Sequence, residues 1–327
     1  MSDEAKQLPA PAPRLPFGPL VAGLIFLSLA LVPLAAEVWG GAYLTSLAIR
    51  AMILAIAAIS LDLLLGHGGL VSFGHSAFVA IGAYATGIMI TEGTYEMALI
   101  LPTAIAAAAL FALLSGAISM RTSGVSFIMI TLAFGQMVYF ALGSLAQYGA
   151  DDGLTLWSPP EFLGTGWLAS DTGVYVTVLA ALIGTWALVH AIVYSRFGRV
   201  MRAARQNPTR VASMGYSVYK YRLTAYVIAG VIAAVAGVLW ATHAAFVSPS
   251  LGSWQRSGDL IVIVVLGGIA TRNGALIGAI FFVMIEEILS SITHDWRLIF
   301  GPILILIALF ARGGLAGLID RIKGPAA

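Results

Sequence analysis

Cysteine is absent from the 327 residues, which excludes disulfides, thiolate metal sites and thiol nucleophiles. Charge is scarce: 10% of residues are Asp, Glu, Lys or Arg, against roughly a quarter in soluble chains. Signatures of enzyme chemistry are missing too, with no P-loop, no H-E-x-x-H and no nucleophile elbow. An ion-coupled transporter usually carries ionisable groups at mid-membrane, and Arg50 and Asp62 are nearly the whole supply. What is left is 60% hydrophobic and offers almost nothing for a soluble domain.

A membrane span needs about 20 apolar residues. Apolar runs lie near 17–38, 42–65, 72–90, 97–119, 125–146, 171–194, 223–247, 259–270, 274–290 and 296–311. The expected fold is therefore all-α: a polytopic transmembrane helical protein of eight to ten spans, with ten the best fit. Run 259–270 is too short to cross fully, and with 274–290 it also reads as one broken element. Residues 1–16 are polar and Pro-rich and are expected to form a disordered tail. The first apolar stretch lacks an A-x-A cleavage site, which favours a retained anchor over a removed signal peptide. The transmembrane domain is then 17–318, with a second tail at 319–327.

Lys and Arg orient these spans. With ten spans and a cytoplasmic N-terminus, 14 of the 17 fall on inner segments, Arg256 and Arg297 fall outside, and Arg50 lies within a span. Both termini are expected in the cytoplasm. Seven of the 14 crowd into 195–222, SRFGRVMRAARQNPTRVASMGYSVYKYR. This loop carries the punctuation of a short helix over Pro208–Met214. Asn207 suits the N-cap, Pro208 the first helical position, and Gly215 the left-handed turn that ends it. A capped helix here, led by Arg199, Arg202 and Arg205, gives a soluble partner something to grip. An ordinary positive-inside loop would show the same charge.

A second informative stretch is GHGGLVSFGHSAFVAIGAY, 66–84, where five glycines and two histidines interrupt membrane-depth sequence. Broken backbone is tolerated in a bilayer only where it is buried in protein or lines a watery cavity. Gly68 and Gly69 would break the helix, Ser72 or His75 would begin the next, and Gly82 offers a small-residue contact. The break reads as a re-entrant element beside a translocation path, while His67 and His75 taken singly read more readily as interfacial helix caps than as functional groups. A second break, GGIATRNGALIGA at 267–279, falls on the same side, and its Gly274 and Gly278 have the G-x-x-x-G spacing. Asp62 lies near the inner end of its span, where it either reaches water or serves as a functional acid within the membrane. Arg50, about 18 Å away along a helix, is expected to snorkel outward, and Glu286 and Glu287 to face outer water. Thr131 and Gln136 are polar without charge, suited to a solute or to tying helices together.

LDLLLGHGGLVSFGHSAFVAIGAYATG, 61–87, resembles the signature of the LivM-type permeases of branched-chain amino acid ABC importers. Gly66, Gly69, Ser72, Gly74, His75, Ala77, Phe78, Ile81, Gly82, Ala83 and Tyr84 match its recurring string. Segment 195–241 resembles that family's coupling loop and following helix. TLAFGQ, GGIATRNGALIGA and WRLIFGPILILIALFARGGLAGL follow in order, so the resemblance spans about 42–318. Gln136 departs from the usual Glu, and Ala270 from the usual Gly.

The resemblance implies an inner-membrane permease subunit without enzymatic activity or cofactor of its own. It implies a second, homologous permease, two cytoplasmic ATPases that bind the ATP, and a periplasmic solute-binding protein. It places ATPase coupling at Arg199, Arg202, Arg205, Asn207, Pro208 and Gly215. The path or permease interface falls at Gly69, Ser72, Gly74, His75, Gly82, Thr131, Gln136, Gly268, Gly274 and Gly278. The implied cargo is leucine, isoleucine, valine or a related small solute. Urea, amide and aromatic-acid permeases are related alternatives, and a structural or sensory subunit that transports nothing is the rival of a different class.

Overall fold

The computed structural model describes residues 17–39, 41–162, 164–293, 295–310 and 313–317, so the two expected tails lie outside the described residues. The chain is an all-α polytopic membrane protein. Its helices are α1 (Phe17–Trp39), α2 (Ala42–Asp62), α3 (Ser76–Thr91), α4 (Met97–Ser119), α5 (Val125–Gly143) and α6 (Asp171–Tyr194). Then follow α7 (Arg196–Gln206), α8 (Pro208–Ser213), α9 (Val218–Ala244), α10 (Trp254–Gly267), α11 (Gly274–Ile292) and α12 (Trp296–Phe310). Among the described residues six helices are long and apolar enough to cross a bilayer, beginning at Ala42, Met97, Val125, Asp171, Val218 and Gly274. All ten expected runs are helical, but α3 and α10 have only 16 and 14 residues.

Helix α2 forms the centre. Its residues from Ala51 to Asp62 are almost all buried, and it is flanked by α6, α9, α10 and α11. By contrast, α4 and α5 bury one narrow stripe each, at Ala104, Ala108 and Ala112 and at Phe127, Thr131, Gly135 and Val138. Their other faces carry exposed Leu, Met and Phe, as a surface in contact with lipid or another membrane protein does. Helices α3 and α9 meet along small residues. A methyl added at Gly82 would overlap the Ala234 carbonyl, and one at Gly237 the Val79 carbonyl. Such close approach favours association in lipid, where no hydrophobic driving force acts between helices.

At the ends of α5 and α9, β1 (Leu154–Thr155) pairs antiparallel with β2 (Phe246–Val247), and Leu156 N donates to Ala245 O at 2.8 Å. This pairing fastens the α5–α6 loop to the turn after α9.

Two expectations about ionisable residues are corrected. Arg50 pairs with Glu286 at 2.6 Å, and Glu287 accepts a hydrogen bond from Tyr43. Glu286 does not point freely to water, because a cation and an acid placed in neighbouring spans reduce each other's cost in lipid, whereas the Tyr43–Glu287 bond lies at the exposed surface. Asp62 does not reach water either. It is buried, with Oδ1 accepting from Ala270 N at 2.9 Å.

Candidate functional site

The backbone of α2 runs on from Asp62 into a π-helical turn, Leu63–Gly68, which Gly69 ends in a left-handed conformation at φ 69°. Residues 69–75 then double back, and α3 begins at Ser76, later than either expected start. The depth of that start follows from His75. Its Nε2 lies 2.7 Å from Ser60 Oγ, and Ser60 gives its own proton to Ala57 O at 2.7 Å, so His75 is the donor. Ser60 stands eight residues before Gly68, roughly 10–12 Å along the helix. The expected interfacial cap is therefore corrected: His75 is fully buried, and α3 starts inside the membrane. His67, half-buried, stays near the end of the turn, with Nδ1 3.3 Å from Asp62 O.

A helix that starts in the interior carries unpaired N–H groups that water cannot reach. The chain supplies partners from α10. Ser76 N donates to Ser257 Oγ at 3.1 Å, and Ser76 Oγ donates to Ser253 O at 2.9 Å. The first turn of α10 is consequently at the same depth. The two short helices meet at their N-terminal ends. Discontinuous helices that meet within a membrane also frame the solute sites of many secondary transporters.

Small residues and hydroxyls hold the segment between α2 and α3. A methyl on Gly74 would overlap the Thr131 carbonyl, so α5 lies directly against this backbone. Thr131 is buried, and its Oγ1 accepts from Phe73 N at 3.3 Å while bonding back to its own helix. It therefore ties α5 to the re-entrant segment. Ser72 is buried beside the Tyr226 hydroxyl of α9. Gln136 lies one turn further along α5, half-buried, with an amide nitrogen that has no partner among the described residues. Gly82 sits instead at the α3–α9 contact. Gly274 and Gly278 sit at the contact of α11 with Gly267 of α10, and Gly268, at φ 114°, lies against Gly313 and Gly314. These four are close contacts within the chain.

The basic segment is more helical than its sequence suggests. Besides the expected capped helix it forms α7 and the first turn of α9. Ser195 caps α7, and Gly198, Met201 and Ala204 form its buried stripe. In α8, Asn207 Oδ1 accepts from Arg210 N at 2.9 Å, Pro208 opens the helix, and Gly215 takes φ 87°. Val211 is the buried anchor of α8, whereas Met214 is 70% exposed. Arg199 lines an outer groove with Val200, Val211, Met214 and Tyr216. Arg202 and Arg205 turn the other way. The Arg205 guanidinium donates to Gly66 O in the π-helical turn, and its stem covers Gly69. Both arginines line a cavity of about 430 Å³ bounded by the π-helical turn, α6, α7 and residues 270–276. Sequence reasoning missed α7, the α10 serines and this cavity; the spacing of Gly198, Met201 and Ala204 was the available signal for the first.

The family of branched-chain amino acid transport system permease components matches residues 43–309. The chain is 26% identical over 287 residues to the high-affinity branched-chain amino acid transport permease LivM of Escherichia coli K12, covering 81% of this chain and 68% of that protein. It is 22% identical over 318 residues to a probable LivM of Methanocaldococcus jannaschii, covering 80% and 89%. It is also 32% identical over 150 residues to the autoinducer 2 import permease LsrC of Klebsiella pneumoniae, covering 43% and 40%. No solved structure matches it.

Proposed function

From the premise that this chain belongs to the permease family of branched-chain amino acid transport systems, and is thus an inner-membrane permease component of an ABC importer, we propose how it works. It passes branched-chain amino acids or a related small solute along the break between α2 and α3, beside α10. It assembles with a second, homologous permease, two cytoplasmic ATPases and an external binding protein. The ATPases grip α8 and the outer groove around Arg199, Met214 and Tyr216.

The observation that carries this reading is the bond from Arg205 to Gly66. Helices α7 and α8 are joined by the single extended residue Asn207, so a displacement of α8 pulls on α7. Arg205 delivers that displacement to a π-helical turn whose carbonyls lack regular helical partners. The moving part and the broken backbone are joined without any intervening element. Ser72, Thr131 and Gln136 supply uncharged polar groups near the break, suiting a solute that must be bound weakly and released. Similarity to LsrC as well as LivM leaves solute choice mainly with the binding protein.

Cross-linking tests the coupling surface, and the absence of native cysteine makes single cysteines in this chain unambiguous. Arg210→Cys and Met214→Cys should cross-link to an ATPase subunit in the assembled transporter, whereas Val125→Cys on the exposed start of α5 should not. Gly215→Val should lower uptake while the complex still inserts, because a β-branched residue resists positive φ. If neither cysteine reaches an ATPase, or if Gly215→Val retains normal transport-stimulated ATP hydrolysis, α8 is not the coupling element.

A further inference from the structure

The cavity behind α7 has a chemistry that solute transport does not use. Its floor is the π-helical turn with Asp62, Gly66 and His67, and its walls bring Arg202 and Arg205 from α7 and Arg272 from the α10–α11 loop. Three guanidinium groups and the imidazoles of His67 and His190 therefore surround one space, against a single acid. That acid accepts from Ala270 N through Oδ1 and, beside Arg205, offsets one of the three cations. Among the described residues the ion pairs join Arg50 to Glu286 and Arg256 and Arg297 to Asp259, and none reaches these three arginines.

Two of the cations are held in place. Arg205 is anchored on Gly66 O. Arg272 lies over the rings of Trp186 and Tyr194, 5.7 and 5.8 Å from their centres. The imidazole of His190 stacks between those rings, 4.2 Å from Trp186. Trp186 is fixed in turn by its indole N–H, which donates to Asn273 Oδ1 at 3.1 Å. Preorganised cations in excess over acid at close quarters attract a multivalent anion, and guanidinium groups match phosphate oxygens in geometry. The site lies at the cytoplasmic end of α6, beside apolar Val189, Val193 and Leu276. Basic pockets between spans at this level, bordered by Trp and Tyr, suit the headgroup region.

We propose that this cavity binds a phosphate-bearing anion at the cytoplasmic face, either an anionic phospholipid headgroup or a soluble phosphate compound. Because Arg205 also holds Gly66, occupancy would stiffen the link between α7 and the broken helix.

The test uses the complete transporter in nanodiscs. In the lipid arm, native mass spectrometry counts phosphatidylglycerol molecules retained on the permease, for the natural chain, Arg202→Gln/Arg272→Gln, Arg202→Lys/Arg272→Lys, and Arg121→Gln as a distant inner-face control. In the soluble arm, phosphatidylcholine nanodiscs are titrated with inorganic phosphate while Trp fluorescence is read. A retained phosphatidylglycerol that falls at least fivefold in the Gln pair, and persists in the Lys pair and in Arg121→Gln, identifies the lipid source. A saturable phosphate response lost only in the Gln pair identifies the soluble source. Equal lipid retention in all four proteins together with no saturable phosphate response overturns the proposal. The Lys pair separates loss of charge from loss of fold.

Discussion

Asp62 gives the sharpest distinction between a carboxylate that moves solute and one that holds backbone. Its Oδ1 receives the N–H of Ala270, 208 residues away, and a methyl on Gly66 would overlap that oxygen. The partner is unusual, since Ala270 has φ 59°, a left-handed conformation that a residue with a Cβ adopts at a cost. Holding that N–H in the interior is therefore a sufficient reason for an acid here. In Asp62→Asn an amide oxygen still accepts the bond. A hydrogen bond to a charged group contributes about 1.5–3 kcal/mol and a neutral one about 0.5–1.5 kcal/mol. The loss of roughly 1–1.5 kcal/mol is partly offset because a charge is no longer buried. The net change should be within about 1 kcal/mol, and uptake should stay within two- to threefold.

Asp62→Ala differs in kind. The Ala270 N–H then has no acceptor, which costs about 1–3 kcal/mol, and the α10–α11 loop loses its tie to α2. Thermal unfolding of the purified transporter should move to clearly lower temperature, with uptake falling alongside. The assay is uptake of labelled leucine into proteoliposomes at saturating binding protein, paired with unfolding scans of the same preparations. An Asp62→Asn transporter that assembles and melts normally yet takes up nothing would refute the argument. The negative charge itself would then act in transport, and a charge-gated mechanism would replace the uncharged path.

Five further substitutions probe neighbouring contacts. Gly74→Ala and Gly82→Leu should each destabilise by at least about 1–3 kcal/mol through overpacking against rigid carbonyls, read as lost assembly on size-exclusion chromatography and lost uptake. Ala270→Gly should stabilise by roughly 0.5–1 kcal/mol, the relief of left-handed strain outweighing the greater chain entropy of glycine, and a melting temperature that falls instead would contradict that sign. Thr131→Val removes the acceptor for Phe73 N and should cost about 0.5–1.5 kcal/mol in both stability and uptake, whereas Gln136→Ala should slow uptake several-fold with stability unchanged, which paired melting and uptake measurements would separate.

Local physics made part of this arrangement legible. The capped helix could be read from Asn207, Pro208 and Gly215 because every cap contact lies within a few residues. The break after α2 was visible in Gly68 and Gly69 for the same reason, as a left-handed glycine is a local demand. The likeness of GGLVS at 68–72 to GGIAT at 267–271 also has a local counterpart, since Gly69 and Gly268 each take positive φ where a helix stops. Helix α7 escaped notice because its four arginines mask a buried stripe of only Gly198, Met201 and Ala204. The small-residue face of α9 escaped for another reason: Gly230, Ala234 and Gly237 sit in a continuous apolar run, where nothing polar marks which side is close-packed.

The partners of the breaks were out of reach for a different physical cause. A broken span exposes N–H and C=O groups that lipid cannot satisfy, so each break demands a polar group from elsewhere in the fold. Here Ser257 answers Ser76 across 181 residues, Asp62 answers Ala270 across 208, and Arg205 answers Gly66 across 139. No periodicity or spacing connects such pairs. Yet Asp62 and Ser257 share a trait that sequence does display: each is a polar residue in or beside an apolar run, with no local reason to be there. Where breaks and stray polar residues occur in one membrane chain, matching them to each other narrows the possible folds before any distance is known. In this chain two of the matches, Asp62 with Ala270 and Arg205 with Gly66, converge on the end of α2, which therefore receives both the α10–α11 loop and the arm that leads to α8.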